Sequence, residues 1–162
     1  MIDRATRAEA FLALGRFVSG EITNDDYESE YPLPELFGRK ASSDQAIRAI
    51  YEMSWSWFDD FHAHKLEGEY ALDDETRRVA HRCLLFLQSD LEYRWRERRF
   101  IKAGTMISNL LTLGLTRTRL SLEEQLAAHL DQPDGDAFAW PFYRREDLEA
   151  AAAQFPQTKV AD

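Results

Sequence analysis

A single cysteine, Cys83, leaves this chain without an intrachain disulfide, so its fold has to rest on burial. Cys83 stands in "HRCLLFLQ", the most apolar part of an expected helix, where a free cysteine packs as a small hydrophobe. A reactive thiol wants a base beside it, and His81, two residues away, points elsewhere on a helix. Long apolar runs are missing too. The longest uncharged stretch, Ala103 to Thr116, has 14 residues, and crossing a bilayer takes about 20. The N-terminal "MIDRATRAEAFLALGRF" has neither an apolar core nor a small-residue cleavage site, which is the pattern of a cytoplasmic protein.

Positive charge is scarce: 20 Lys and Arg against 29 Asp and Glu give a net charge of -9. That balance argues against general nucleic-acid binding, which neutralises phosphates, and makes a basic protein the natural partner. No glycine-rich phosphate loop, Ser-His-Asp signature or zinc spacing is present. Neither a cofactor nor a metal is expected from local motifs.

Proline is absent between Pro34 and Pro133, and 19 leucines stand against nine valines plus isoleucines. Both favour helix over strand. No period-two alternation, internal repeat or low-complexity linker interrupts the pattern. The expectation is an all-α, single-domain bundle of six or seven helices over residues 1–155, with a flexible C-terminal tail at 156–162.

Caps locate the helices. The first runs from about Arg4 to Ser19 with Ala8, Phe11, Leu12, Gly15 and Val18 on one face, and Gly20 ends it. Thr23 with Asp26 opens a short helix as a variant capping box, and "YPLPELFG" breaks the chain. Ser42 with Gln45 caps a helix over about Ser43 to Lys65. Asp73 or Asp74 opens another that ends near Ser89, and Ser89 with Glu92 restarts the chain toward Leu115. Ser121 with Glu124 caps a shorter helix, "DQPDGD" is a turn-rich loop, and a last helix covers about Arg145 to Phe155.

On the long helix expected after Ser42, Ile47, Ile50, Tyr51, Ser54, Trp55, Trp57, Phe58 and Phe61 share one arc. That stripe is a bundle core, a large pocket or an interface. "DDFHAH" (Asp59 to His64) is the nearest approach to acid–base or metal chemistry. Asp60 with His64 and Asp59 with His62 fall at helical spacing, but His62 and His64 would point about 200° apart and could not share one ion. A site would need a ligand from another helix, such as Glu67, His81 or Glu92. Asp59, Asp60 and His62 remain weak catalytic candidates. Asp90, in "FLQSDLEY", is a fourth, weighed against a helix-capping role.

One region runs against the overall charge. Residues 91–119 carry seven Lys or Arg and two Glu, a local +5, so the remainder carries -14. The segment "RWRERRFIKAGTMISNLLTLGLTRTR" is nearly apolar all round between its basic ends, which suits a buried helix, an anionic membrane surface or a partner interface. Trp95, Arg96, Arg98 and Arg99 are its candidate contact residues. On the acidic side the candidates are Asp25, Asp26, Glu28 and Glu30 of "NDDYESE", with "LDDE" adding charge.

Several segments resemble a family of small uncharacterised bacterial proteins: "GEITNDDYE", "SSDQAIRAIY", "WFDDFHAHKLEG", "FLQSDLEYRW", "NLLTLG" and "WPFYRREDLEAA". The resemblance spans most of the chain in order and implies no activity. Such proteins carry proline after the tryptophan where Arg96 stands here. The functional expectation is a non-enzymatic, immunity- or antitoxin-like protein that masks a basic partner. The alternatives are a peripheral membrane protein using residues 94–119, and a hydrolase or metal-binding helical protein using Asp59, Asp60 and His62.

Overall fold

Side-chain caps start most of the helices in the computed structural model, which describes residues 1–33, 42–59, 61–95 and 134–158. Asp3 opens α1 (Arg4–Val18) by accepting from the Thr6 amide at 3.1 Å. Thr23 and Asp26 form the expected reciprocal box at the head of α2 (Asn24–Glu30). Asp44 caps α3 (Gln45–Ser54) and Asp73 caps α4 (Asp74–Gln88). The last helix, α5, is Arg145–Gln154. Each cap satisfies an amide that the first helical turn leaves without a partner. The described residues therefore hold five α-helices and no strand, with single 3-10 turns at Gly68–Tyr70 and Ala137–Ala139. The protein is all-α. Six or seven helices are not supported: the helix expected from Ser89 does not start there, and the rest of it, with the helix expected from Ser121, lies outside the described residues.

The core lies between α1 and α4, which approach closely enough that a Cβ on Gly15 would meet Leu84 Cδ2 at 3.9 Å. The buried side of α1 is Arg7, Ala10, Ala13, Leu14, Phe17 and Val18. The face expected from the sequence is only partly the inward one: Ala8 is exposed and Leu12 is 61 % exposed, Phe11 is half-buried against the core, and Val18 is buried. An arginine sits where a hydrophobe would be assumed. Arg7 and Asp44 are 2 % and 3 % exposed and pair at 2.6 Å.

One end of the core is aromatic. Phe17 stacks on Tyr27 at 4.5 Å, and Tyr27 meets Tyr31 and Tyr51 at 5.3 and 6.0 Å. Ser54 Oγ donates to the Tyr51 carbonyl, so it accepts from the Tyr27 hydroxyl at 2.8 Å. Tyr31 donates to the Ile47 carbonyl at 2.9 Å. Burial without charge compensation raises both phenols well above their ordinary range. Cys83 lies fully buried on α4, and desolvation pushes its thiol up as well.

The other end joins residues 91–95 to 134–144. Trp95, a candidate contact residue, is buried: its indole donates to the Phe142 carbonyl at 3.1 Å, and it packs on Tyr143 at 5.2 Å. The ring is consumed by the core, which corrects its assignment to a partner surface. Gly135 is required there, because a Cβ would fall 2.5 Å from Trp95 Cη2. Residues 89–95 form no helix, so Ser89 and Glu92 do not restart one; Ser89 Oγ instead donates to the Phe86 carbonyl at 2.8 Å. Arg96, Arg98 and Arg99 lie outside the described residues, as does the rest of the basic segment. The first residues of the expected tail are held against α4: Thr158 is buried, its hydroxyl meets Gln88, and its carbonyl accepts from His81 Nε2 at 2.8 Å.

Candidate functional site

The helix expected to continue to Lys65 stops at Ser54. Serine hydroxyls take over backbone carbonyls at that point, with Ser54 Oγ on Tyr51 and Ser56 Oγ on Met53 at 2.8 and 2.7 Å. Such local bonds compete with the helical ladder. The aromatic residues that follow also carry little helix preference. Trp57 turns inward, whereas Trp55 stays 47 % exposed and Phe61 is 91 % exposed. Of the apolar arc from Ile47 to Phe61, Trp57 stays buried and Phe58 packs on Phe17 at 5.3 Å, while Trp55 and Phe61 are displayed.

Asn24 builds the loop that follows. Buried at the head of α2, it donates from Nδ2 to the carbonyls of Asp59 and His62 at 3.1 and 3.3 Å, and its Oδ1 accepts from the His64 amide at 2.8 Å. Its own amide donates to the His64 carbonyl at 3.0 Å. One side chain thus replaces the sheet or helix that would otherwise satisfy these backbone groups. Asp59 Oδ1 accepts from the Phe61 amide at 2.9 Å, which fixes the turn presenting the phenylalanine. Behind the loop, Gly20 at φ +71° leaves room for Glu67, whose carboxylate would be 2.8 Å from a Cβ there.

The loop brings together residues that a helix would hold apart. A ring nitrogen of His62, a ring nitrogen of His64 and a carboxylate oxygen of Asp59 all lie within 4.8 Å of one another. This corrects the expectation that His62 and His64 could not serve one ion, because residues two apart diverge on a helix but not on this loop. His62 Nδ1 faces Asp59 Oδ1 at 3.8 Å, and its Nε2 lies 2.8 Å from the Tyr70 hydroxyl. Tyr70 also packs against the His64 ring at 4.2 Å. His64 Nδ1 is 2.9 Å from the His62 carbonyl, while its Nε2 is buried without a hydrogen-bond partner. Asp60 lies outside the described residues. His81 is engaged with Thr158 instead.

The remaining candidates separate. Asp90 borders a cleft of about 440 Å³ between α1 and α4 that Phe11 and Phe155 also line. Its carboxylate is exposed and bonded to Arg4 at 2.7 Å, and that guanidinium holds it below the usual carboxylate range. Asp90 is thus one half of a surface ion pair. On α2, Asp26 is committed to the cap, where the Thr23 hydroxyl and amide lower its pKa. Glu30 pairs with Arg16 at 2.6 Å, and Arg16 also holds Glu21 at 2.8 Å. Glu28 is half-buried, and Asp25 projects into solvent. Residues 21–30 include five acidic side chains and no Lys or Arg, and 67–75 repeat that count. No described helix is long and apolar enough to cross a membrane.

No family model, no curated protein and no solved structure matches this chain.

Proposed function

We propose that this protein is a non-enzymatic binding module that docks a basic protein partner on the face formed by α2 and the loop 55–64, in the manner of an immunity protein or antitoxin. The observation that carries the reading is Phe61. A phenylalanine left 91 % exposed is held by a loop whose backbone is tied to the buried Asn24. A large apolar group displayed on a fixed support loses little freedom on binding, which is how interface anchors act. Trp55 adds a second exposed ring, and the acidic run 21–30, whose Asn24 is bonded to the same loop, supplies charge that steers a basic surface. The single unpaired cysteine supports a cytoplasmic setting.

Asp25 and Phe61 are the clean probes, because Asp26 and Glu30 have structural duties. Asp25→Lys together with Phe61→Ala should abolish capture of a basic protein from host lysate, identified by mass spectrometry, while leaving the circular dichroism spectrum unchanged. Equal capture by wild type and variant, or a captured partner that is itself acidic, sinks the proposal.

A further inference from the structure

We infer that Asp59, His62 and His64 form a binding site for a divalent transition metal of the zinc class. The cluster has the donor chemistry such ions prefer, two imidazoles and a carboxylate. It also has the supporting bonds. A carbonyl oxygen only accepts, so in the His64–His62 contact the proton belongs to His64 Nδ1. In the neutral ring the lone pair is then on Nε2, the atom that is buried with no partner although His64 is only 8 % exposed. A histidine that gives its other N–H to a backbone carbonyl is oriented as metal-binding histidines are. His62 is arranged in the same way by a different group: Tyr70 can take the Nε2 proton, which leaves Nδ1 toward Asp59. The Phe61 amide holds Asp59 from its own side.

Donor atoms around a zinc ion bonded at about 2.0–2.1 Å sit roughly 3.3 Å apart. The present spread of up to 4.8 Å closes by side-chain rotation of Asp59 and His62, both about half-exposed, toward the buried His64. Three protein ligands leave a fourth position for water or for a group on a partner.

Isothermal titration of the full chain with zinc chloride alone tests the inference. Wild type should bind one equivalent, and cobalt(II) should give the visible absorption of a low-coordinate site. His62→Ala and Asp59→Asn should each weaken zinc by at least about tenfold, the range seen when support for a metal site is removed. His81→Ala, whose ring is engaged with Thr158, should bind as wild type does. Because His62 and Asp59 are only about half-buried, unchanged circular dichroism will show that these variants fold. No stoichiometric zinc binding, or equal binding by wild type, His62→Ala and Asp59→Asn, overturns the site. Neither result bears on the capture experiment, which reads Asp25 and Phe61.

Discussion

Two buried polar arrangements hold this molecule, and they differ in how completely they are used. Arg7 spends all five N–H donors: Nε and Nη2 on Asp44, Nη2 again on the Leu91 carbonyl, and Nη1 on the carbonyls of Ser89 and Phe86. Asp44 in turn accepts four bonds, two from Arg7 and one each from the amides of Asp3 and Ala46. The guanidinium also lies 5.1 Å above the Phe86 ring. Around Asn24 the backbone is equally well satisfied, but the side chains it presents are not. His64 Nε2 has no partner and Phe61 has no cover. The first network has nothing left over, whereas the second keeps bonding capacity to spare, as the proposed metal site requires.

The largest effect should come from breaking the complete network. Arg7→Met leaves Asp44 buried and uncompensated, and should cost about 3–5 kcal/mol in urea unfolding. Adding Asp44→Asn should recover part of that loss, since the stranded charge goes with it. Asn24→Ala should cost less, about 2 kcal/mol, because it leaves the Asp59 and His62 carbonyls and the His64 amide to find other partners. Its distinguishing result is a roughly tenfold loss of zinc affinity, which Arg7→Met should not produce while folded. His64→Phe sharpens the contrast further. It gives up one hydrogen bond and an unpartnered nitrogen together, so stability should move by no more than about 1 kcal/mol while zinc binding disappears.

The smallest effect concerns the exposed carboxylates. Asp3, Asp26, Asp73 and Asp90 all lie below the ordinary aspartate value, the first three through hydrogen bonds at helix starts and the last through Arg4. Their folded pKa values are depressed, so their contribution is present above about pH 4 and lost as pH falls through the lower folded values. The urea midpoint should therefore drop in acid. Asp73→Asn should flatten that slope without much loss at neutral pH, because asparagine still caps.

Legibility in the sequence followed the range of the interaction. The Thr23–Asp26 box and the cap at Asp73, one of the two starts the sequence offers, depend on neighbours three residues away; the last helix also begins at the expected Arg145, though with no side-chain cap. Arg7 was not legible, because its partner is 37 positions along the chain and it puts a charge on the inward face of α1. The Asp59 loop failed for a related reason. Apolar periodicity continued past Ser54 and suggested one helix, while the bonds from Asn24 that shape the loop come from 35 and more residues before it. Asp59 and His62 could be picked out by residue type. Their meeting with His64 could not, since it depends on the loop and not on the wheel.

Cys83 has a consequence of a different kind. As the protein's one thiol, buried in the middle of α4 and with its ionisation suppressed, it is out of reach of reagents while that helix stays packed. Its rate of chemical labelling in native buffer is then a clock for the opening of the α1–α4 core. Ordinary fluctuation of the loop that Asn24 holds, which lies on other residues, would leave that clock running at the same speed.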